Sequence, residues 1–255
     1  MSAPVTVVRL EWLRLWRTAR LLVLVLVFGF FGLLGPLSAA YLPELIGLAS
    51  QAEGVVIEVP DPVPADGIAQ YIGNISQLGL LVVAAVGALA LAVDTRPGLA
   101  AFYRTRQASP SGWMLPRWAA TTLAAVLAWT VGLLAAVYET VLLIGDLPVA
   151  DMVVGWALWV VYLAFAVGVV ALAAGLVRST VAVTAVSVGL LIAMAIVGLI
   201  PQVGEWLPSN LVGAPTALAS GQSEPGDYLR SVTVTALLTV AALVGATALV
   251  RRREL

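Results

Sequence analysis

Residues 67–106, GIAQYIGNISQLGLLVVAAVGALALAVDTRPGLAAFYRTR, change character at one point. From Gly67 to Val93 there is no charge; then Asp94, Arg96, Arg104 and Arg106 appear within a dozen or so residues, and Arg117 comes shortly after. An uncharged run of this length exceeds the ~20 residues that a helix needs to cross ~30 Å of hydrocarbon. Its abrupt basic end reads as the point where the chain leaves the membrane.

The same alternation extends in both directions. Apolar residues make up 61% of the chain and charged ones 11%, against roughly 45–50% and 25% in soluble domains. Spans are expected at 21–42, 72–93, 118–138, 156–177, 181–200 and 231–250. The chain therefore reads as one all-α integral membrane domain over 1–255, with six transmembrane helices. Gly29, Gly32 and Gly35 on the first span form a small face suited to close helix packing. Ser38-Ala39-Ala40 resembles a signal-peptide cleavage site, but the preceding apolar run is longer than a usual signal core, so a retained span is expected.

Charge orients the spans. Twelve of the thirteen arginines fall in the N-terminus (Arg9, Arg14, Arg17, Arg20), the 94–117 loop, Arg178 and the tail at Arg251, Arg252 and Arg253. The alternate segments carry Glu44, Glu53, Glu58, Asp61, Asp66, Glu139, Asp146, Asp151, Glu205, Glu224 and Asp227, with only Arg230 basic. Arginine-rich loops stay in the cytoplasm. Both termini are expected inside a cell membrane, with three acidic segments outside.

The residue types absent from the chain narrow its chemistry. It has no Cys, His or Lys, so thiol chemistry, histidine ligands and a Walker lysine are all missing. No span carries a charge in its interior of the kind that proton- or sodium-coupled carriers use. No acid pair suggests a catalytic or metal centre. The expectation is a non-enzyme with no catalytic residue, no metal and no cofactor of its own, taking its energy from a partner. No nucleic-acid partner is expected.

Two cytoplasmic elements stand out. In residues 5–20, Val8, Trp12, Leu15, Trp16 and Ala19 form one apolar stripe, with Glu11, Arg14 and Thr18 roughly opposite. Such a helix suits the membrane interface and its lipid. In 94–107, Thr95 caps a short helix that tolerates Pro97 in its first turn, and Ser109-Pro110-Ser111-Gly112 then breaks the path.

The order of these elements resembles the permease subunit of type-2 ATP-binding-cassette exporters over essentially the whole chain. An interfacial helix comes first, then six spans. A basic helical loop joins spans two and three, and a very short link, Arg178-Ser179-Thr180, joins four and five. The resemblance makes 5–20 the connecting helix and 94–107 the coupling helix that docks on a separate ATPase. Arg96, Leu99, Phe102, Tyr103, Arg104 and Arg106 become the docking residues. Relatives often have an acidic residue and then Gly-Thr here, whereas this chain has Asp94 and then Gly98-Leu99. The resemblance also implies a re-entrant hairpin before the last span, within 201–230, where Pro201, Pro208 and Pro215 divide IPQVGEWLPSNLVGAPTALASG (200–221) into pieces too short to span.

The resemblance implies a permease paired with a second permease, identical or homologous, and with an ABC ATPase that binds ATP and Mg. The alternative is a non-transporting assembly or sensor subunit of a larger complex. Nearly uniform apolar spans suit a hydrophobic or amphipathic substrate such as a drug, lipid or lipopeptide, with Asn74, Ser76 and Gln77 as candidate path-lining residues. Because the chain lacks cysteine, single-cysteine labelling checks the topology directly. An impermeant reagent on intact cells is expected to label positions in 43–71 and to leave Arg104→Cys untouched; labelling at 104 refutes the orientation.

Overall fold

The computed structural model describes residues 3–53, 60–92 and 111–252. Among these every regular element is a helix. In hydrocarbon no water can satisfy an exposed peptide group, so an apolar chain of this kind closes its hydrogen bonds within each helix. The docking segment at 94–107 lies outside the described residues.

A first helix, α1 (Ala3–Arg17), leads into α2 (Arg20–Glu53). At the joint Ala19 adopts a left-handed φ of 56°, a conformation that costs a residue with a Cβ roughly 1–2 kcal/mol. Next come α3 (Pro64–Asn74), a π-helical turn at Ile75–Gly79 and α4 (Leu80–Leu91), which form one continuous rod. The start of α3 is set by its residues: Pro64 needs no amide partner, and the Asp66 carboxylate accepts the Val63 N–H at 2.9 Å. The chain resumes with α5 (Ser111–Leu143), α6 (Val149–Leu176) and α7 (Thr180–Val197), where Ser179 Oγ caps α7 by accepting from Ala182 N–H at 3.1 Å. Two short helices, α8 (Pro201–Gly204) and α9 (Asn210–Ala219), and a 3-10 turn at Pro225–Tyr228 precede α10 (Leu229–Arg252).

Among the described residues, six helical stretches are long and apolar enough to cross a membrane: Arg20–Gly47, Pro64–Leu91, Ser111–Leu143, Val149–Leu176, Thr180–Val197 and Pro225–Arg252. The helices run past several of the ends expected from charge alone. α2 continues through Pro36 and Pro43, so part of the acidic segment after residue 42 is helical. α5 starts at Ser111, not 118, so Ser111 and Gly112 are helical where a break was expected.

Close packing centres on α2, α5 and α6. A Cβ on Gly32 would collide with the backbone oxygen of Gly132, and one on Gly132 would meet the Tyr71 hydroxyl and the Phe28 carbonyl oxygen. Both positions therefore need glycine because two backbones touch there. Beside this crossing the rings of Tyr71 and Trp129 stack at 5.5 Å, and Trp129 stacks on Trp159 at 4.6 Å. Hydroxyls within the helices bond back to their own carbonyls, as in Ser187 to Val183 at 2.7 Å and Thr239 to Thr235 at 2.7 Å, which hides them from an apolar surround. α6 is the most enclosed of the six and α7 the least.

Gly132→Leu is expected to cost more than the about 1–3 kcal/mol of ordinary overpacking, because the new side chain meets backbone. Gly189, on α7, faces open space, so Gly189→Leu should change stability by no more than about 0.5 kcal/mol. Thermal unfolding of the two variants in micelles checks the contrast.

Candidate functional site

Two places combine polar groups with an otherwise apolar bundle. The first is a cleft of about 770 Å³ between the α3–α4 rod, α6, α7 and the α8–α9 segment. Its apolar lining includes Leu80, Leu81, Val188 and Leu191, and its polar side chains are Ser76, Gln77, Tyr162, Ser209 and Asn210. Ser209 and Asn210 sit where the end of α7 meets α9, since Ser209 Oγ donates to Met194 O at 3.5 Å.

Ser76 and Gln77 belong to the π turn. A π turn inserts an extra residue into a helix and shifts the register of the residues beyond it, and such turns recur at functional sites. Here it separates the facing of α3, buried on Ile68, Tyr71 and Ile72, from that of α4. Gln77 is exposed toward the cleft. Of the three residues expected to line a path, Ser76 and Gln77 line this cleft, whereas Asn74 is not among its lining residues.

One wall is held by α9. Leu211, Ala214 and Leu218 are buried, Trp159 Nε1 donates to the Val212 carbonyl at 2.9 Å, and Pro215 packs so closely on Gly155 that a Cβ there would lie 2.9 Å from Pro215 Cα. Asn210 Nδ2 donates to Ser231 Oγ at 3.0 Å, and Ser231 Oγ in turn donates to the Glu205 carbonyl at 2.6 Å. A second, more polar recess of about 680 Å³ lies beyond Asn210 and includes Glu205 and Arg230. Those two pair at 3.6 Å with both side chains exposed, where an ion pair contributes little.

The second place joins α1 to the start of α5. Arg117 Nε donates to Glu11 Oε1 at 2.9 Å, with Arg117 1% and Glu11 6% exposed. The Arg117 guanidinium also lies 5.5 Å from the Trp113 ring, and Arg14 approaches Glu11 at 3.5 Å. This corrects two sequence readings. Glu11 is not on a water-facing side of α1, and Arg117 lies buried within α5, not in the 94–117 loop. Burial of two opposite charges is tolerable when they meet in good geometry, which no pattern within either segment alone reveals.

The rest of α1 divides around that pair. Leu15 is buried, Trp12 half-buried, and Trp16 is 69% exposed beside Leu10 and Leu13. Val8 lies on the same helix. Arg96, Leu99, Phe102, Tyr103, Arg104 and Arg106 lie outside the described residues. Among the described residues no group of acidic side chains could hold a metal ion.

Six apolar helices and an interior with no strand among the described residues make this an all-helical, multi-pass membrane protein. The chain is similar to the uncharacterized transmembrane protein YxlG of Bacillus subtilis strain 168, at 24% identity over 221 residues that cover 83% of each chain. No family model matches the chain, and no solved structure matches it.

Breaking one side of the buried pair is expected to cost about 3–5 kcal/mol, whereas replacing both sides with apolar residues of similar size costs far less. Arg117→Leu should therefore lower the unfolding midpoint in micelles strongly. Glu11→Leu combined with Arg117→Leu should recover most of the loss. A double variant as unstable as the single one would mean the pair is incidental to the packing of α1.

Proposed function

We propose that this chain is the permease subunit of an ATP-driven exporter of the type-2 ATP-binding-cassette class, located in the cell membrane with both termini in the cytoplasm. The observation that carries the reading is the buried Glu11–Arg117 pair. It fastens the N-terminal helix to the residues immediately after the arginine-rich loop. A displacement delivered to that loop would reach both α1 and the third span, since the pair resists separation.

In this reading 94–107 is the coupling helix, α1 is the connecting helix at the interface, and the α8–α9 segment re-enters the membrane from outside. The exposed Leu10, Leu13 and Trp16, mixed with Arg9 and Arg17, suit a helix at the boundary of lipid and water. A separate ATPase binds ATP and Mg, and a second permease completes the assembly. The cleft beside the π turn lies on the path of a hydrophobic or amphipathic substrate. Its apolar lining with a few placed polar groups supports this, as ligand clefts commonly have that composition.

The test is the coupling helix. Single exposed ion pairs contribute only ~0.2–1 kcal/mol, so loss of Arg104 alone should do little. Arg104→Glu with Arg106→Glu should weaken docking more, by setting like charges across the contact. Phe102→Ala with Tyr103→Ala should loosen the ATPase most, because aromatic residues are frequent interface hot spots. Membrane insertion is expected to be unchanged, while ATPase co-purification and substrate-stimulated turnover in lipid are lost. Wild-type binding and turnover in the aromatic double variant would remove the coupling role.

A further inference from the structure

Every residue lining the 770 Å³ cleft is uncharged, and this restricts what it can hold. We propose that the cleft binds a single-chain amphiphile whose head group is neutral and rich in hydrogen-bonding groups. As a transported substrate class this rests on the permease reading; as a binding site it does not, since one chain forms the whole cleft.

The size is that of a ligand site, within the roughly 300–1,000 Å³ usual for small molecules. The lining is mostly hydrocarbon with a few polar groups. Leu80 and Leu81 come directly after the π turn, and Val188 and Leu191 lie nine and six residues before the end of α7. The polar side chains are Ser76 and Gln77 on the π turn, Tyr162 on α6, and Ser209 and Asn210 at the start of α9.

Hydrogen-bonding capacity there is only partly used. Ser76 Oγ donates to Gly73 O at 3.0 Å, Ser209 Oγ to Met194 O at 3.5 Å, and Asn210 Nδ2 to Ser231 Oγ at 3.0 Å. Each of these side chains keeps acceptor capacity. The exposed Gln77 amide makes no hydrogen bond among the described residues and offers both donors and an acceptor. Hydroxyls on a head group can donate to the first three and accept from Gln77.

A charged head finds no such partner. The lining contains neither arginine nor carboxylate. Arg230 lies beyond Asn210 in the adjoining recess and is not part of the cleft lining. Withdrawing an unpaired charge from water is far costlier than withdrawing a hydroxyl that gains a hydrogen bond. The cleft therefore discriminates by exclusion of charge, and it does so at the same residues that give a neutral head its partners.

The test uses the full chain in phosphatidylcholine nanodiscs, because a sugar-headed detergent would itself compete. The probe is monooleoylglycerol with a photoreactive diazirine in the acyl chain, and cross-linked residues are read by mass spectrometry. Labelling is expected at Leu80, Leu81 and Leu191. Unlabelled monooleoylglycerol should displace the probe at concentrations about tenfold lower than oleoyl lysophosphatidylglycerol does, since an unpaired buried charge is penalised. Gln77→Lys supplies a cation and should reverse that preference, while Gln77→Leu should weaken the neutral competitor alone. Equal displacement by both lipids, an unchanged preference in Gln77→Lys, or labelling spread evenly over Leu237 and Val240 of α10 would overturn the site. No ATPase takes part, so a chain that docks an ATPase but shows no lipid preference refutes only this site. A chain with the preference and no ATPase partner refutes only the permease reading.

Discussion

Where α2 crosses α5, Gly32 and Gly132 allow the two backbones to touch, and the Tyr71 hydroxyl and the Phe28 carbonyl fill the space that a side chain at Gly132 would need. In lipid the hydrophobic effect does not drive helices together, because hydrocarbon tails are as apolar as leucine; close backbone contact and dispersion must do so. The crossing places Tyr71 against Trp129, and Trp129 against Trp159, so one contact aligns the second, third and fourth spans in sequence. Rings in offset stacks add about 0.5–1.5 kcal/mol each beyond the area they bury.

From Trp159 the same chain of contacts reaches the α8–α9 segment. Its indole N–H donates to Val212 O, one turn from the place where Pro215 sits on Gly155. α9 is thereby held against α6 and α3, and its first residues complete the cleft opposite the π turn. The least enclosed span, α7, forms the remaining wall. The cleft thus has walls packed around α6 and one wall, α7, that is the most exposed of the spans.

At the other end of the bundle the constraint is electrostatic. Glu11 and Arg117 meet in a nearly dry contact, and the left-handed turn at Ala19 sets the angle at which α1 departs from α2. Arg20 adds a contact from the base of α2 to the Leu89 carbonyl near the end of α4, at 3.4 Å. The start of the chain is therefore tied to the segments that precede and follow residues 93–110, and that tie is what the proposed permease role uses.

Composition and charge alone determined that the chain would form six long apolar helices, because an uncharged run must hide its peptide groups within itself. They also marked Ser76 and Gln77, polar residues in a run otherwise free of charge, and the prolines that cut 200–221 into short pieces. Tertiary structure decided the rest. Helical periodicity set Glu11 opposite the apolar stripe of its own helix, and charge pattern put Arg117 in the 94–117 loop; only their meeting, across more than a hundred residues, makes burial of both tolerable. Likewise the capture of the Val212 carbonyl by Trp159 depends on which neighbour lies across the gap. Local sequence sets how each segment satisfies its own backbone, but polar partners between helices exist only after the helices have packed.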